Sequence, residues 1–435
     1  MNPIEINDRI KLVLNYSDSL KETYIHEPFF EKTNAYKYIK DCLDTGWVSS
    51  SGSWVSKFES LIQEFTGIKY AVAVSNGTVA LRMALHLVGV SSGDEVLLPP
   101  LTFVGTANSI SHLGGIPHFI DIEYDSLGMC PKALERRLNE VAVLKDNDVY
   151  NKITGRKISA VVPVHVFGLP AKIQELKKLC SKWKLPLIED AAEALGSKSR
   201  VSSKYIHCGG IGDLGTLSFN GNKIITTGGG GAILTNNKKF ADLAKHLSTT
   251  AKIPHPWDFI HDQIGWNDRL PNINAALGAS QIENLPAKLK NKRILHAKYK
   301  AQFQDLQNIE IMEETENNFS NYWLITMRIN SDNPQELREK ILNESHNSKI
   351  YLRPSWKLLS ELPMYKKNPC GDLSEAINQS KHVFVEKPMV DSYEKALKIE
   401  KKLKNKNIKF QVGYVERFNP AYIMSKKFIR KPIYI

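Results

Sequence analysis

The sequence predicts an α/β fold, with a mainly parallel sheet in a large domain and a smaller α+β domain after it. From about residue 33 to 290, short apolar runs alternate with amphipathic segments. This alternation is typical of strands separated by helices in a sheet that is covered on both faces. The pattern then changes to a lysine-rich helix and shorter mixed elements between about 309 and 365. A chain of 435 residues is also too long for one compact core.

The large domain contains the clearest local signals. Two segments, 77–89 and 170–184, carry apolar residues at three- and four-residue spacing and are predicted helices. Six apolar runs are strand candidates, namely 69–75, 94–100, 116–122, 158–167, 185–190 and 231–236. We therefore expect four parts, namely an N-terminal arm (1–32), a large domain (33–290), a small domain (291–380) and a C-terminal segment (381–435).

Composition excludes several protein classes. No apolar run approaches the roughly 20 residues of a membrane-spanning helix, and the first residues lack the pattern of a secretion signal. We therefore expect a cytoplasmic protein without a membrane partner. The five cysteines are scattered and show no zinc-binding spacing, so neither disulfides nor a metal site is predicted.

The net charge of +12 is concentrated at the C-terminus. Residues 381–435 hold 14 Lys and Arg against 5 Asp and Glu, which leaves only +3 for residues 1–380. The basic run at 395–409 lacks interleaved aromatic residues and is more typical of the solvated face of an amphipathic helix. We therefore expect no nucleic-acid partner.

Three segments carry residues suited to chemistry, and "VSNGTVAL" (74–81) is the first. It places Asn76, Gly77 and Thr78 between an apolar strand and a helix. Backbone N–H groups at a helix N-terminus, next to a hydroxyl, bind anions such as phosphate. Taken alone, such a junction is more often a simple turn.

The second segment is "PLIEDAAEALGS" (186–197), in which Glu189 and Asp190 end an apolar strand. Ligands of α/β sheets bind at the carboxyl ends of strands. An acid there suits the pyridinium nitrogen of pyridoxal phosphate. The alternative is that Asp190 caps a helix, which is at least as common for such a residue.

The third segment is "LSFNGNKIITTGGGG" (217–231), which contains Ser218, Lys223 and a run of glycines. A lysine amine can bind an aldehyde cofactor covalently, a serine can bind its phosphate, and glycines allow close approach. A surface lysine in a turn is the alternative for this segment alone. Together, the three segments supply a phosphate site, a ring-nitrogen acid and a covalent lysine, so they favour pyridoxal phosphate.

One competing motif is "GIGDLG" (210–215), which matches the glycine fingerprint of dinucleotide-binding proteins. That fingerprint requires a strand before it and a helix after it. Here the strand-like segment "TLSFNGNK" follows, so the helix that would receive the pyrophosphate is missing. A dinucleotide site at this position is therefore disfavoured.

The same segments resemble a known family in order and spacing. The residues that carry the resemblance are "TGWVSSSGSWVSKFE", "SNGTVAL", "GDEVLLPPLTFVGTANSI", "VVPVHVFGLPAKI", "IEDAAEALGS", "LSFNGNKIITTGGGGAILTN" and "GWNDRLPNINAALGASQIENL". The chain resembles the sugar-nucleotide aminotransferases of the DegT/StrS type from about residue 24 to 380. Within that family, three segments look most like the branch that makes 4-amino sugars for nonulosonic acids such as legionaminic acid, namely "SFNGNKIITTGGGG", "KHLSTTAKIPHPWDF" and "YLRPSWKLLSELPMYKKNP".

The resemblance implies a fold-type I enzyme, similar to aspartate aminotransferase, that uses pyridoxal phosphate as a homodimer. Lys223 falls on the Schiff-base lysine, Asp190 on the acid that pairs with the pyridine nitrogen, and Glu193 on the position near the ring hydroxyl. The remaining matches are Gly77, Thr78 and Ser218 at the phosphate, Phe103 or Thr102 over the ring, and Asn267 reaching the phosphate from the partner subunit. Asp268 departs from the family, whose members usually carry a tyrosine there.

The implied reaction moves an amino group from glutamate to C4 of a 4-keto-6-deoxy sugar linked to UDP or GDP. The freed Lys223 amine would serve as the acid and base for the proton transfer. Two other interpretations are open, namely a nicotinamide-dependent sugar oxidoreductase and an inactive protein of the same fold. Intact Lys223 and Asp190 disfavour the inactive protein.

From about residue 380 the resemblance changes family. The segment "KHVFVEKPMVDSYEKALKIEKKLKNKNIKFQVGYVERFNPAY" (381–422) is similar to the middle of Gfo/Idh/MocA-type oxidoreductases, with Lys387 in their "EKP" motif. Since the dinucleotide-binding half of those enzymes is missing, we interpret 381–435 as a fused fragment. It either completes the small domain with a strand and a helix or forms a poorly packed appendage.

Overall fold

The computed structural model describes residues 2–14 and 28–386. Its helices are α1 (Pro3–Leu14), α2 (Ala35–Asp44), α3 (Ser53–Thr66), α4 (Gly77–Leu87), α5 (Gly105–Ser111), α6 (Pro131–Val141), α7 (Ile173–Trp183), α8 (Lys238–Ser248), α9 (Asn272–Glu283), α10 (Leu285–Phe303), α11 (Pro334–Asn347) and α12 (Ser374–His382). Its strands are β1 (Tyr70–Val74), β2 (Glu95–Leu98), β3 (Ile116–Phe119), β4 (Ala142–Lys145), β5 (Asp148–Asn151), β6 (Lys157–Val161), β7 (Ile188–Asp190), β8 (Lys198–Val201), β9 (Lys204–His207), β10 (Leu214–Ser218), β11 (Gly231–Thr235), β12 (Lys252–Ile253), β13 (Ile260–His261), β14 (Ile309–Ile311), β15 (Asn318–Phe319), β16 (Ile325–Ile329), β17 (Arg353–Pro354) and β18 (Val383–Glu386).

The predicted α/β fold is confirmed, and the large domain is built on a mixed sheet in which β3, β2, β6, β7 and β10 run parallel. Strands β5 and β4 extend it with antiparallel pairs next to β6. Strands β1, β11, β10 and β7 lie side by side in that order, and β6, β2 and β3 continue the sheet. Two parallel bridges, Val161 with Leu187 and Val164 with Asp190, join the two halves. Strand β11 pairs antiparallel with both of its neighbours, whereas β10 and β7, β2 and β6, and β2 and β3 are parallel pairs.

Most of the local predictions for this domain are confirmed. Each of the six strand candidates contains an observed strand, and no such strand extends more than one residue beyond its predicted range. Both predicted helices are present as α4 and α7. Strand β10 is not among the six candidates, although the sequence that contains it is strand-like. It is five residues long and its only large apolar side chains, Leu214 and Leu217, are separated by Gly215 and Thr216, which is too weak a pattern to identify a buried strand.

Helices cover both faces of the sheet. On one face α4, α5 and α8 bury apolar side chains against the central strands. On the other face α3 and α9 pack closely, because Gly278 on α9 leaves room for the Phe58 ring; a Cβ at Gly278 would lie 2.7 Å from its Cζ. The packing leaves the carboxyl ends of β7 and β10 at one edge of the sheet, where ligands of such sheets bind.

The small domain contains an antiparallel sheet in the order β14, β16, β18, β17. Strand β18 is central in it, since it pairs with β16 on one side and β17 on the other. Its Phe384 is fully buried opposite Met327. The four residues of β18 thus belong to this sheet, although they follow position 380. The proposed domain boundaries stay predictions, and Lys387 with the rest of 387–435 lies outside the described residues.

Helix α1, within the expected N-terminal arm, packs against α10 and α11. Its Ile6 and Ile10 are fully buried, and Arg9 donates a 2.9 Å hydrogen bond to Asp305 Oδ2. Across residues 2–14 and 28–386, none of the helices combines the length and apolar character needed to span a bilayer. All five cysteines are free thiols.

Candidate active site

The candidate site forms where β7 and β10 end beside the start of α4. Asp190 is the last residue of β7 and pairs in register with Thr216 of β10. Ser218 is the last residue of β10, and α4 begins at Gly77. These elements are far apart in the chain and adjacent in space, because the sheet topology brings the three sequence segments together.

Lys223 has a buried amine with a carboxylate partner. Its Nζ lies 3.1 Å from Glu193 Oε1, and the side chains of the two residues are 11% and 4% exposed. The same Nζ lies 4.3 Å from the centre of the Trp323 ring, within the range of a cation–π interaction. These contacts exclude the alternative of a solvated lysine in a surface turn.

Asp190 is also buried, and each of its carboxylate oxygens accepts one hydrogen bond. Thr106 Oγ1 donates to Oδ2 at 2.8 Å, and the Ala192 N–H donates to Oδ1 at 3.1 Å. Burial raises the pKa of the Asp190 carboxyl, and these two donors act against that rise. Since residues 191–197 form turns and no helix begins there, the helix-cap alternative is wrong.

Glu193 is held by the backbone of the neighbouring loop. Its Oε2 accepts a 2.8 Å hydrogen bond from the Phe167 N–H, and Phe167 has a left-handed backbone with φ of 57°. Asn321 from the small domain donates to the Glu193 carbonyl at 2.8 Å. Burial raises the pKa of the Glu193 carboxyl, while Lys223 lowers it. A fixed backbone and a cation thus hold this carboxylate in place.

Gly77 and Ser218 are in direct contact. A Cβ on Gly77 would lie 2.8 Å from Ser218 Cβ and 3.1 Å from its Oγ. Asn76 caps the helix by accepting a 2.9 Å hydrogen bond from the Val79 N–H, and the first N–H groups of a helix have no partner within it. The start of α4 and the Ser218 hydroxyl thus meet at a corner, and its role as an anion site stays a prediction.

The last glycine of the run after Lys223, Gly231, packs against the backbone of Asn76. A Cβ on Gly231 would lie 2.5 Å from the Asn76 carbonyl oxygen. The expectation that these glycines make room for a cofactor is therefore wrong at Gly231, where the missing side chain makes room for the backbone in front of α4. Gly228, with φ of 80°, adopts a conformation that favours glycine.

Phe103 and Thr102, the two candidates for covering a ring, differ in their surroundings. The Phe103 side chain is 55% exposed. Its ring is close to Gly105, since a Cβ placed on that glycine would lie 3.1 Å from the ring and 2.9 Å from Thr78 Oγ1. Thr102 is 2% exposed, and its hydroxyl is hydrogen-bonded to Thr106 at 3.1 Å. Of the two candidates, Phe103 is thus the one with an exposed side chain, whereas the Thr102 hydroxyl is buried and already bonded.

Asn267 lies outside this cluster. It is exposed and bridges to Thr249 in the loop before α9, and within the described residues it hydrogen-bonds to none of the other predicted site residues. Its neighbour Asp268 forms an ion pair with Arg82 and accepts a 2.8 Å hydrogen bond from the Ser75 N–H. The Ser75 bond is made by the Asp268 backbone carbonyl, so the aspartate side chain itself ties this loop to α4 through Arg82.

The "GIGDLG" loop binds a carboxylate of the protein itself. Glu189 accepts hydrogen bonds from the N–H groups of Gly209, Ile211 and Gly212 at 2.9, 2.7 and 2.5 Å. His165 Nε2 lies 3.0 Å from the same carboxylate. Strand β10 follows the loop, so the missing helix is confirmed. The backbone amides that a dinucleotide would need are already bound to Glu189.

Sequence reasoning missed three residues of the site, namely Thr106, Phe167 and Trp323. Thr106 lies within a quoted motif, but no spacing rule identifies its hydroxyl as a partner of Asp190. Trp323 comes from the small domain, 100 positions after Lys223. Phe167 contributes only its backbone N–H to Glu193, and a backbone contact leaves no signal in residue type.

Comparison with known proteins identifies the family. The model of the DegT/DnrJ/EryC1/StrS aminotransferase family matches residues 30–396. The chain belongs to this family. This aminotransferase is 36% identical over 329 residues to a GDP-perosamine synthase of Escherichia coli, which covers 76% of this chain and 83% of that protein. It is 35% identical over 346 residues to EpsN of Bacillus subtilis, a putative pyridoxal phosphate-dependent aminotransferase, with 79% and 84% covered.

A solved structure shows the same fold. Helicobacter pylori PseC, an aminotransferase involved in the biosynthesis of pseudoaminic acid, superposes with a TM-score of 0.75 at 23% identity. The match covers 88% of this chain and 99% of that chain. The predicted fold type I is therefore confirmed, and the protein is a transaminase that depends on pyridoxal phosphate.

The residues of the aminotransferase fit that cofactor chemically. A carboxylate offers about four acceptor sites, and Thr106 and Ala192 use only two at Asp190, so a ring N–H can be accepted as well. The buried Lys223 amine can react with an aldehyde, and the corner between Gly77 and Ser218 would be filled by any larger side chain.

Proposed function

We propose that this aminotransferase moves an amino group from glutamate to C4 of a nucleotide-linked 4-keto-6-deoxy sugar, in the cytoplasm, for nonulosonic acid or surface polysaccharide synthesis. The buried cluster of Lys223, Glu193 and Asp190 carries the proposal. It combines an amine and two carboxylates with an anion-binding corner, and such a set suits amine transfer on a phosphorylated cofactor.

Each predicted residue has a proposed role toward pyridoxal phosphate. Lys223 would hold it covalently and Asp190 would bind its ring nitrogen, while Glu193 would lie near the ring hydroxyl. The N–H groups of Gly77 and Thr78 and the Ser218 hydroxyl would bind its phosphate, and Phe103 would cover the ring. Thr102 is less suited to that contact because its hydroxyl is buried and bonded to Thr106.

Lys223 would also move the proton of the reaction. When bound, the cofactor supplies an electron sink that stabilises negative charge on the substrate carbon. The Lys223 Nζ would then take a proton from one carbon and return it to another as general base and acid. Glu193 Oε1, 3.1 Å from that nitrogen, and the Trp323 ring, 4.3 Å away, orient the amine and keep water from one side of it.

The nucleotide is proposed from the relatives. Three curated relatives that share 30–36% identity with this chain are named GDP-perosamine synthases. Their names favour GDP over UDP for this chain. The nonulosonic acid branch is supported by the resemblance of the motifs and by the likeness to PseC, an aminotransferase involved in the biosynthesis of pseudoaminic acid.

We also propose a homodimer with a shared site. Asn267 is exposed and lies apart from the Lys223 cluster, which suits a residue that reaches the phosphate of the partner subunit. Arg82, in the middle of α4, and Asp268 hold its loop against that helix. This arrangement would place the phosphate sites of both subunits close to the interface.

The alternative of a nicotinamide-dependent oxidoreductase rests on Lys387, which lies outside the described residues. The one glycine motif in the chain that resembles a dinucleotide site binds Glu189 instead. The buried Lys223 and Asp190 argue against an inactive protein. The aminotransferase proposal is therefore the one that the described residues support.

The test is an assay of the purified protein with glutamate and a panel of GDP- and UDP-linked 4-keto-6-deoxy sugars. Glutamate alone should change the visible absorbance of the bound cofactor, and one sugar of the panel should reverse that change and gain an amine at C4. If glutamate changes the absorbance and no sugar of the panel reverses that change, the assignment of the sugar substrate is wrong. The nucleotide of the best substrate decides between GDP and UDP.

A further inference from the structure

Two buried hydroxyls form a chain that ends on Asp190. Thr106 Oγ1 donates to Asp190 Oδ2 at 2.8 Å, and Thr102 Oγ1 lies 3.1 Å from Thr106 Oγ1. All three side chains are at most 4% exposed. Because a hydroxyl has a single hydrogen and Thr106 uses it toward the carboxylate, Thr102 must be the donor in the second bond.

We infer that Thr106 is a positioning residue that holds Asp190 for the cofactor ring nitrogen, and that Thr102 acts through Thr106. The inference rests on the role proposed above for Asp190. It goes beyond that role because both threonines now act on the Asp190 carboxylate, Thr106 directly and Thr102 through Thr106. Thr102 then supports the carboxylate and does not cover the cofactor ring.

The geometry around Asp190 supports this assignment. The Ala192 N–H binds Oδ1 from the turn that follows β7, and Thr106 binds Oδ2 from α5. The carboxylate is therefore fixed at both oxygens by different elements, so it cannot rotate without breaking a bond. Since burial alone favours the neutral acid at Asp190, a hydroxyl donor also keeps the charged form available to pair with a ring N–H.

The position of Thr106 is itself fixed. Its N–H donates to the Phe103 carbonyl at 3.2 Å, and Ser109 Oγ donates to the Thr106 carbonyl at 2.7 Å. The first turn of α5 thus connects the exposed Phe103 ring to the Asp190 carboxylate. A change at Thr106 is expected to affect the carboxylate rather than the fold, because valine has the same shape without the hydroxyl.

The experiment compares the holoenzyme with T106V, T106S, T102V, the double variant T106V/T102V and D190N. The readouts are the dissociation constant of the cofactor and the rate at which glutamate changes its visible absorbance. Loss of one hydrogen bond to a charged group should slow that rate by about 10- to 100-fold in T106V. T106S keeps the hydroxyl and should stay within about threefold of wild type.

The control is S345A, which removes a fully buried hydroxyl of α11 that donates to the Ile341 carbonyl and takes no part in the chain to Asp190. It should leave both readouts near those of the wild type. T102V should slow the rate less than T106V, and it should have no further effect in the double variant, because Thr102 acts through Thr106. Additive effects in the double variant would overturn the role of Thr102.

The outcomes separate this inference from the proposed function. If D190N slows the spectral change strongly but T106V does not, the role of Thr106 is wrong and Asp190 keeps its role. If D190N leaves both readouts unchanged, the proposed site itself is wrong. If T106S is as impaired as T106V, the hydroxyl is not what matters, and the inference is overturned.

Discussion

The Lys223 amine lies 3.1 Å from the Glu193 carboxylate, in a place where both side chains are almost fully buried. Thirty positions separate the two residues in the chain. Glu193 follows β7 and Lys223 follows β10, and these two strands are parallel neighbours. The contact depends on the sheet, and it defines where the cofactor lysine is expected to act.

Replacing Lys223 by alanine should remove covalent attachment of the cofactor, since no other amine lies in the described cluster. The measurement is mass spectrometry after borohydride reduction. The wild-type peptide that contains Lys223 should gain the mass of the reduced cofactor, and K223A should show no such gain. K238A, at a lysine whose side chain is 69% exposed, is the control and should keep the modification. A labelled K223A protein would contradict the assignment.

Replacing Gly77 by alanine should weaken cofactor binding. The new Cβ would lie 2.8 Å from Ser218 Cβ, so the proposed phosphate ligand must move, and we expect a loss of roughly tenfold in cofactor affinity. The cofactor-free protein should lose only a little stability, because the helix preference of alanine offsets part of the cost of the close contact with Ser218. Fluorescence titration with the cofactor gives the affinity. G371A is the control and should bind the cofactor like wild type, because the atom nearest to its new Cβ would be 3.7 Å away. If G77A bound the cofactor as tightly as wild type, the corner between Gly77 and Ser218 would not be the phosphate site.

Replacing Glu189 by glutamine should destabilise the large domain. The amide has one oxygen for the three N–H groups that now bind the carboxylate, so at least one buried donor loses its partner. We expect the free energy of unfolding to fall by about 3 kcal/mol or more. Urea denaturation measures it. E135Q, at a surface glutamate 3.3 Å from Lys182, should behave like wild type, and equal stability of the two variants would refute the account of the "GIGDLG" loop.

Acid should destabilise the protein through His207. Its Nε2 accepts a 2.7 Å hydrogen bond from the Gly196 N–H, and burial lowers the pKa of this histidine to about 4. Between that pH and the ordinary value of 6.5, the unfolded chain holds a proton that the folded chain does not. The free energy of unfolding should therefore decrease as the pH falls through this interval, by up to about 3 kcal/mol from this residue.

Denaturation of H207Q at pH 7, 6, 5 and 4 checks this expectation, with pH values chosen around the interval of about 4 to 6.5. The variant should lose less stability on acidification than wild type, even if it is weaker at neutral pH. H112Q, at an exposed histidine, should follow the wild-type profile. Parallel profiles for H207Q and wild type would show that another group is responsible.

Replacing Phe384 by alanine should destabilise the small domain. The ring is fully buried in the central strand β18, and loss of such a side chain costs about 3 to 5 kcal/mol. Urea denaturation of the full chain measures the effect. I377A removes a side chain that is 44% exposed on the neighbouring α12 and should cost far less. If F384A and I377A were equally stable, β18 would not be part of the folded sheet.

The sequence was sufficient for features that depend on local pattern and residue type. Apolar runs of six to ten residues identified six strands of the large sheet, because a buried strand needs a continuous apolar segment. The chemistry of an amine, an acid and a glycine corner indicated pyridoxal phosphate before any contact was known. The absence of a helix after "GIGDLG" likewise followed from the pattern of the next residues.

Only the tertiary structure decided which distant groups meet. Thr106 reaches Asp190 across 84 positions, and Trp323 reaches Lys223 from the small domain. Strand order and packing bring these pairs together, and neither leaves a trace in local spacing. The same is true of β18, whose pairing with β16 spans more than fifty positions. Local propensity selects the strands and helices of this aminotransferase, whereas burial of their apolar faces selects the partners of Asp190, Glu189 and Lys223.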